Sequence, residues 1–201
     1  MIGELQVELY HGTISICAEN IVKNGILLNK GKPKVDFGRG FYTTPSYNFA
    51  KSTAINKADK TNAYYTESYV FPYVLKYTIN EEYFKLMNKL EFERDDTNWA
   101  QFIVNNRNGI EYMRSINCFF HNIRGKYDIV KGGIADNQIT LLVKELLKSR
   151  RRVSVTDLSN ILYAYPTSQI SFHTKRSLSC IELVSCDIIK PTNMKGDAVN
   201  E

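Results

Sequence analysis

The chain has 201 residues, of which 43% are hydrophobic and 23% are charged, as is ordinary for a globular protein with a buried core. Its 26 basic and 21 acidic residues give a net charge of +5, which is compatible with an anionic ligand or nucleic acid but requires neither. Four cysteines without a C-x-x-C pair exclude a disulfide scaffold and give no support to a zinc site, and no segment reaches the roughly 20 apolar residues of a membrane span.

These features predict a single domain over residues 1–190, followed by a polar tail over residues 191–201. The cysteines are expected to be reduced and mostly buried, and neither a metal nor a membrane is expected as a partner. The protein is expected to act in the cytoplasm, with delivery into another cell by a secretion machine left open.

The N-terminal half contains short apolar patterns typical of strands and helices. Apolar and polar residues alternate over Glu4–Tyr10, which predicts a half-buried strand, and the helical pattern that follows is expected to end at Gly25. The aromatic and β-branched residues Phe41–Thr44 predict a short strand, and Ser46 is expected to begin a helix. The polar residues 57–68 are predicted to form a mobile loop.

The C-terminal half continues the mixture of strands and helices. Tyr69–Ile79 predicts a strand whose first residues lie at a sheet edge, because Pro72 lacks an N–H. Trp99 lies on a predicted helix, and its side chain is expected in the hydrophobic core of the protein. The remaining predicted helices and strands are helices at Glu81–Leu90 (with Asn80 as N-cap), Asn98–Asn106, Ile139–Leu147, Thr156–Tyr163 and Ser177–Ile181, and strands at Tyr127–Val130, Gln169–Thr174 and Leu183–Ile189.

The order of these elements favours an α+β fold, since regular βαβ alternation is missing from the pattern. The sequence also lacks a G-x-G-x-x-G after a strand and a phosphate-binding P-loop. A nucleotide would therefore have to bind by other devices.

A glycine-containing segment, Asp36–Thr44, suggests a ligand site. Gly38 and Gly40 allow a tight backbone path that leads into an aromatic strand, a plausible wall for a flat ligand. The segment Tyr10–Thr13 (Y-H-G-T), about thirty residues upstream, adds a histidine and a glycine at the end of a strand.

Four segments in order carry a family resemblance. They are Y-H-G-T at residues 10–13, D-F-G-R-G-F-Y-T-T at 36–44, G-G-I-A-D at 132–136 and Q-I-S-F-H-T at 169–174. Together they resemble the ADP-ribosyltransferase superfamily, in the branch of diphtheria-type toxins and poly-ADP-ribose polymerases, and more closely a bacterial family of uncharacterised transferase-like domains. The resemblance implies a split β-sandwich of two small packed sheets with flanking helices.

The resemblance also implies roles for individual residues in binding NAD as a co-substrate. His11 matches the histidine that hydrogen-bonds a ribose hydroxyl, and Gly12 matches the glycine whose backbone pairs with the nicotinamide amide. Tyr42 matches the tyrosine that stacks on the nicotinamide ring. Thr13 and Gly40 belong to the same two binding segments. Taken alone, His11 is better explained as a capped strand end and Tyr42 as a core aromatic, and the four motifs in order reverse this preference.

Gln169 departs from the pattern of the active polymerases, which carry a glutamate at this position. A glutamine can hold the ribose 2′-hydroxyl but brings no negative charge to an oxocarbenium-like transition state. Three interpretations follow: the enzyme works with glutamine, another carboxylate supplies the charge, with Asp136 as first candidate, or the domain binds NAD without turnover. Elongation into a polymer is the least favoured outcome.

Several charged residues have both functional and structural interpretations. Asp136 is either a site residue or a helix cap, and Asp128 either belongs to the site or pairs with a basic residue in the core. Arg39 either contacts the NAD pyrophosphate or is an exposed loop arginine. His121 and His173 are expected to serve structure.

The strongest basic cluster, Lys148–Arg152, is either a solvated face or a contact for a nucleic acid. The resemblance as a whole implies a mono-ADP-ribosyltransferase that cleaves the nicotinamide–ribose bond of NAD and modifies a protein or nucleic-acid acceptor. A bacterial toxin or defence effector, with an antitoxin protein as partner, is the setting suggested by related transferases. The alternatives are a non-catalytic NAD-binding module, an NAD glycohydrolase and a basic nucleic-acid-binding protein.

Overall fold

A computed structural model describes residues 7–64, 68–93, 96–135, 137–159 and 167–190. Over these residues the chain forms two β-sheets and eight α-helices, so the predicted α+β class is confirmed. The predicted polar tail, the site candidate Asp136 and the predicted helix residues 160–163 lie outside the described residues.

Strands and helices are interspersed along the chain. The strands are β1 (Glu8–Ile14), β2 (Phe41–Thr43), β3 (Pro72–Ile79), β4 (Lys89–Glu91), β5 (Ile129–Gly133), β6 (Ser168–Phe172) and β7 (Ile181–Ile188). The helices are α1 (Ser15–Asn24), α2 (Tyr47–Tyr64), α3 (Glu81–Lys85), α4 (Thr97–Asn108), α5 (Ile110–Ser115), α6 (Asn137–Ser149), α7 (Val155–Ser159) and α8 (Lys175–Leu178), and a short 3-10 helix covers Leu28–Lys30.

The two sheets have three and four strands. The first has the order β1-β3-β7 and is antiparallel throughout. The second has the order β2-β6-β5-β4, in which β4 and β5 alone are parallel. The sheets are linked where Tyr10 on β1 exchanges two backbone hydrogen bonds, of 2.8 and 2.9 Å, with Thr44 just after β2.

Apolar side chains from the facing sides of both sheets form one shared core. Leu9 and Leu75 of the first sheet pack in the same cluster as Ile129, Ile170 and Phe172 of the second. A second cluster lies against the other face of the four-stranded sheet and contains most buried side chains of α4 and α6. This layering buries the apolar face that each sheet turns toward the shared core.

Local sequence signals explain several element boundaries. The Ser46 hydroxyl accepts a hydrogen bond from the Phe49 N–H, which caps the start of α2 as expected. The Asn80 side chain likewise accepts from the Tyr83 N–H at the predicted N-cap of α3. The predicted core position of Trp99 is also confirmed, since its side chain is 1% exposed.

The predicted loop over residues 57–68 is wrong for most of its length, because α2 continues to Tyr64. Ala50, Ala54 and Ala58 recur at four-residue spacing, and all three are buried. Ala50 and Ala54 pack with Val74 of the three-stranded sheet. Small buried residues at this spacing allow close helix–sheet contact, and polar residues between them, such as Ser52 and Asn56, face water. The polar composition of residues 57–64 therefore reflects the solvated face of a helix rather than a loop.

Three further expectations need correction. β3 is the central strand of its sheet, with Pro72 as its first residue, where the missing N–H interrupts little pairing. The helix predicted to run to Leu90 ends at Lys85, since residues 89–91 pair with β5 instead. The strand predicted to end at Tyr10 extends to Ile14, so the Y-H-G-T segment lies within it.

The helix predicted to be capped by Thr156 and Asp157 begins instead after Ser154. The Ser154 hydroxyl accepts from the Asp157 N–H at 3.3 Å, and the Asp157 carboxylate accepts from the Ser154 N–H at 2.7 Å. This reciprocal arrangement satisfies donors at the start of α7. The cysteines are all free, but only Cys180 is buried and Cys17 is exposed, which corrects the expectation that most are buried. Within the described ranges, the helices are too short or too polar to cross a bilayer.

Candidate functional site

A cavity of about 160 Å³ lies next to the backbone bridge between Tyr10 on β1 and Thr44 after β2. One wall is α2, and the other side is formed by residues on or next to β5 and β6. The cavity brings together four of the predicted site residues, and its lining residues include His11, Gly12, Tyr42, Lys57, Ile134 and Gln169. Because these residues come from distant parts of the chain, their convergence is a property of the fold.

His11 is held in one tautomer by the backbone of the opposite sheet. Its Nδ1 lies 2.6 Å from the Tyr42 carbonyl oxygen, which only accepts hydrogen bonds, so Nδ1 carries the proton. Burial, assisted by the positive charge of Lys57, lowers the pKa of His11 to about 3. The imidazole is therefore neutral at physiological pH, and Nε2 is an acceptor for a ligand hydroxyl.

Gly12 is required by the close approach of α2 rather than by space for a ligand. A Cβ at this position would lie 2.0 Å from the Ala50 carbonyl oxygen. This packing requirement stands beside the expected role of the Gly12 backbone in ligand binding, which stays a prediction. The backbone polar groups of Gly12 point away from β3, as those of Tyr10 do, because this direction alternates along an antiparallel strand. The Gly12 carbonyl accepts a hydrogen bond of 2.7 Å from the Lys57 ammonium.

Tyr42 fixes the glycine-containing turn at the edge of the cavity. Its hydroxyl donates to the Gly38 carbonyl at 2.6 Å and accepts from the Phe37 N–H at 2.9 Å. Gly38 has φ of +86°, a conformation that side-chain-bearing residues rarely adopt. Burial raises the pKa of the Tyr42 phenol well above its ordinary value, so the hydroxyl stays protonated and keeps both bonds. Tyr42 is also one of the residues that line the cavity, and its ring is stacked at 6.3 Å on Phe37.

Gln169 is bonded to a carboxylate that lies directly behind it. Its Nε2 donates to Asp36 Oδ2 at 2.9 Å and to the Gly133 carbonyl at 3.2 Å. Both partners are acceptors, which identifies the amide nitrogen and leaves Oε1 as the acceptor atom of the side chain. Gln169 and Asp36 are each 8% exposed, so this hydrogen bond lies in the interior.

The charge of Asp36 is balanced by Arg107. Arg107 Nε donates to Asp36 Oδ1 at 2.8 Å, and its Nη2 donates to the same oxygen at 2.5 Å. A third donor, Nη1, bonds the Thr140 hydroxyl. The chain Arg107–Asp36–Gln169 therefore ends in the cavity with the glutamine amide, polarised by the carboxylate next to it.

Sequence reasoning missed Asp36 and Lys57 as site residues. Asp36 opened the glycine-containing segment, but that segment was interpreted through its glycines and aromatics. Lys57 fell in the residues predicted as a loop. If α2 had been predicted to continue through residue 57, Lys57 would have fallen four residues after Thr53 and seven after Ala50. It would then have been assigned to the helix face that lines the cavity.

Three predicted ligand residues do not line the cavity. Arg39 is exposed, and its carbonyl oxygen lies 2.9 Å from Nδ1 of His173. Gly40 packs against the same histidine, since a Cβ there would lie 2.7 Å from Nδ1. Thr13 is buried opposite Tyr73 in the three-stranded sheet. The glycine at position 40 and the threonine at 13 therefore serve packing.

The remaining histidine and aspartate candidates are structural in this fold. His173 bonds Ser171 and the Arg39 backbone, and burial lowers its pKa to about 4. The His121 ring accepts from the N–H two residues later, in a local turn. Asp128 accepts from the Asn88 N–H and the Thr174 hydroxyl, which corrects the expectation of a basic partner.

The basic run at residues 148–152 is partly used in the fold. Arg151 forms a bidentate pair with Asp157, at 2.6 and 2.8 Å, and also reaches Glu145. Arg152 donates to the carbonyls of Ile116 and Asn117. These contacts favour the structural interpretation of the run over a nucleic-acid contact.

A larger cavity, of about 740 Å³, lies between β4 and α4 and contains none of the predicted site residues. Its lining includes the acidic residues Glu91, Glu93 and Asp96. We place the candidate site in the smaller cavity because titratable groups with shifted pKa values converge there. Across the described side chains, no cluster of three histidine, cysteine or carboxylate groups is arranged to hold a metal ion.

Comparison with known proteins identified one family. A model of the family described as "Protein of unknown function (DUF3990)" matches residues 7–183. Neither the curated proteins nor the solved structures gave a match. The matched range includes every residue of the cavity and the Arg107–Asp36–Gln169 chain.

Proposed function

The chain belongs to this DUF3990 family, and we propose that it is a mono-ADP-ribosyltransferase that uses NAD as its co-substrate. The proposal is supported above all by one observation: His11, Gly12, Tyr42 and Gln169, which the resemblance assigned to NAD, line a single cavity. Residues separated by up to 158 positions meet there (169 − 11 = 158).

The size of the cavity suits the pyridine end of the dinucleotide. Cavities for whole drug-sized ligands typically measure about 300–1,000 Å³, whereas about 150 Å³ is enough for a benzene ring. A volume of about 160 Å³ therefore fits one substituted ring. We propose that the nicotinamide ring enters the cavity and that the rest of the dinucleotide lies outside it.

Two residues would position the ring and its ribose. Tyr42 lines the cavity and its hydroxyl is already hydrogen-bonded within the protein, so its proposed contribution is stacking of the aromatic ring on the pyridine ring. His11 presents an unprotonated Nε2, which accepts a hydrogen bond from a ribose hydroxyl. Because His11 stays neutral, it does not add positive charge beside the developing cation.

Gln169 would act on the ribose 2′-hydroxyl through Oε1. The carboxylate of Asp36 accepts a hydrogen bond from the amide nitrogen and polarises the amide, which increases the partial negative charge on Oε1. Asp36 thus takes the part that was assigned to Asp136 as a source of negative charge, although Arg107 offsets much of that charge. This arrangement supports slow transfer of one ADP-ribose unit better than polymer synthesis.

In the proposed reaction, the bond between ribose C1′ and the nicotinamide nitrogen breaks, and its electron pair leaves with the nicotinamide, which becomes neutral. The positive charge develops on the ribose as an oxocarbenium-like state. A nucleophilic atom of the acceptor then bonds C1′ and loses its proton to solvent or a base. The acceptor is a protein or a nucleic acid, and an antitoxin-like inhibitor is a further proposed partner.

The test is transfer of label from adenylate-labelled NAD to macromolecules in a bacterial lysate. Wild type is expected to transfer label and release nicotinamide, and His11→Ala is expected to reduce both about hundredfold or more. His121→Ala is the matched control, because that histidine lies in a local turn away from the cavity. Protease and nuclease digestion then identify the class of acceptor. If His11→Ala and His121→Ala both transfer label at the wild-type rate, the proposal is wrong.

A second candidate function is NAD binding without turnover. It is favoured by two features of the site: Gln169 carries no charge, and the charge of Asp36 is balanced by Arg107. Tight NAD binding that depends on His11, without nicotinamide release in any extract, would support this function. Release of free ADP-ribose without labelled macromolecules would instead indicate an NAD glycohydrolase.

A further inference from the structure

Lys57 is a cation that the proposed roles of the cavity residues do not use. It lies on α2, and although the residue as a whole is exposed, its ammonium turns inward and bonds the Gly12 carbonyl at 2.7 Å. The side chain is part of the cavity lining. A lysine at an ordinary surface position would extend into water, so the inward orientation needs an explanation.

The charges around Lys57 do not neutralise it. The nearby groups are the neutral imidazole of His11 on β1, the Cys17 thiol on α1 and a second cation, Lys32, in the loop before β2. Asp36, the carboxylate nearest to the cavity chemistry, is occupied by Arg107 and Gln169. In the part of the chain that the structure describes, Lys57 forms no ion pair.

Desolvation of the amine has a measurable consequence. Burial by the surrounding protein atoms lowers the pKa of Lys57 from its ordinary value; Cys17 partly opposes this effect, and Lys32 adds to it by repulsion. An anion bound in the cavity would reverse both effects, because it stabilises the charged form of the amine. A ligand of negative charge in the cavity would therefore supply the compensating charge that the described surroundings of Lys57 do not provide.

We propose that Lys57 is the anion-recognition residue of the cavity and that its ammonium binds an anionic oxygen of the ligand. This inference deepens the proposed function, on which it rests for the identity of the ligand. The bond to the Gly12 carbonyl uses one of the three ammonium hydrogens and leaves two to donate.

Two parts of a pyridine dinucleotide offer such an oxygen. One is a phosphate oxygen of the pyrophosphate, and the other is a carboxylate on the ring, as in the nicotinic acid form. The second source has a specific argument in its favour. Gly12 is where the resemblance places the ring amide, and an ammonium 2.7 Å from its carbonyl competes with the amide hydrogens of nicotinamide but attracts a carboxylate.

The experiment measures binding by isothermal titration calorimetry at low, fixed salt. The probes are NAD, nicotinic acid adenine dinucleotide and nicotinamide riboside, which lacks phosphate. The proteins are wild type, Lys57→Gln, which keeps a donor for the Gly12 carbonyl without the charge, and Lys57→Arg, which restores the charge. Lys60→Gln is the matched control, since Lys60 is an exposed lysine of the same helix and does not line the cavity.

Lys57→Gln is expected to weaken binding of at least one dinucleotide by about tenfold or more, as for loss of a hydrogen bond to a charged group. Lys60→Gln should stay within about twofold of wild type, and Lys57→Arg should recover part of the loss. If Lys57→Gln loses the preference of the wild type for NAD over nicotinamide riboside, the anion that binds Lys57 is the phosphate. If Lys57→Gln instead loses a preference of the wild type for the nicotinic acid form over NAD, the anion is the ring carboxylate.

Equal affinities in wild type and Lys57→Gln for every probe would overturn the inference, as would absence of binding of all three probes to the wild type. These outcomes are separable from failure of the proposed function. Nicotinamide release by the wild type, together with equal affinities of wild type and Lys57→Gln for every probe, retains the transferase and rejects the role of Lys57. Lys57-dependent binding without nicotinamide release retains the anion site and rejects the transferase.

Discussion

Replacing Gln169 by glutamate, the residue of the active polymerases, should destabilise this protein rather than activate it. Gln169 donates its amide to Asp36 at 2.9 Å, and both side chains are buried. A carboxylate at position 169 would place two negative oxygens at that distance, with one arginine, Arg107, to balance both charges. The glutamine is thus explained by the carboxylate behind it.

Two costs compete in the Gln169→Glu variant. At an effective dielectric constant of about 20, two unit charges about 3 Å apart repel by roughly 5–6 kcal/mol. Protonating a glutamate at pH 7, about 2.7 units above its ordinary pKa, costs about 4 kcal/mol, which is less. The new carboxyl should therefore take up a proton and donate it to Asp36. We expect a loss of about 2–4 kcal/mol in the free energy of unfolding at pH 7, with Arg107 reducing the upper figure.

The sign of the pH dependence follows from this protonation. The new carboxyl has a higher pKa in the folded than in the unfolded state, so the loss is small near pH 4–5 and grows as pH rises. At pH 5 protonation costs only about 1 kcal/mol. Urea unfolding of wild type and variant at pH 5 and pH 7 measures the difference.

The double variant Asp36→Asn with Gln169→Glu is the internal control. It exchanges the amide and the carboxylate, so one negative charge remains for Arg107 and the hydrogen bond between the two side chains is kept. Most of the stability lost at pH 7 should return, with a coupling energy of at least about 1 kcal/mol. A Gln169→Glu protein as stable as wild type at both pH values would refute the assignment of the Asp36–Gln169 contact.

Three other substitutions test the structure around the cavity. Gly12→Ala should lower the stability by about 1–3 kcal/mol or more, because its Cβ would overlap the Ala50 carbonyl, and an unchanged melting temperature would contradict that contact. Tyr42→Phe should cost about 1–3 kcal/mol in urea unfolding, since two backbone groups at residues 37–38 lose their partner, whereas NAD affinity should change by less than about twofold. His173, with a folded pKa of about 4, stays neutral while the unfolded chain takes up a proton below about pH 6.5, so wild type should lose about 3 kcal/mol more than His173→Gln between pH 7 and pH 4. Parallel pH profiles of the two proteins would argue against a buried neutral histidine.

Local patterns in the sequence predicted much of the fold, and the predictions that failed did so for physical reasons. The α+β class and the N-caps at Ser46 and Asn80 follow from short-range signals, which the structure confirms. The length of α2 and the position of β4 depend on tertiary contacts. The alanines of α2 are buried only because a sheet lies beneath them, and residues 89–91 form a strand only because β5 is available for pairing.

The candidate site was predictable in part from motifs and in part only from the fold. The motifs named His11, Tyr42 and Gln169, which do line one cavity. They did not indicate that Asp36 stands behind Gln169, because that hydrogen bond joins residues 133 positions apart. Lys57 was hidden by the wrong loop prediction for its segment. Contacts over such separations are set by sheet packing and leave no periodic trace in the sequence.

A crystal structure of the protein soaked with NAD gives the most direct evidence on the proposed site. We expect the pyridine ring in the cavity beside Tyr42, with a ribose hydroxyl bonded to Nε2 of His11 and the 2′-hydroxyl near Oε1 of Gln169. A dinucleotide bound instead in the cavity between β4 and α4, with these three side chains untouched, would contradict the assignment.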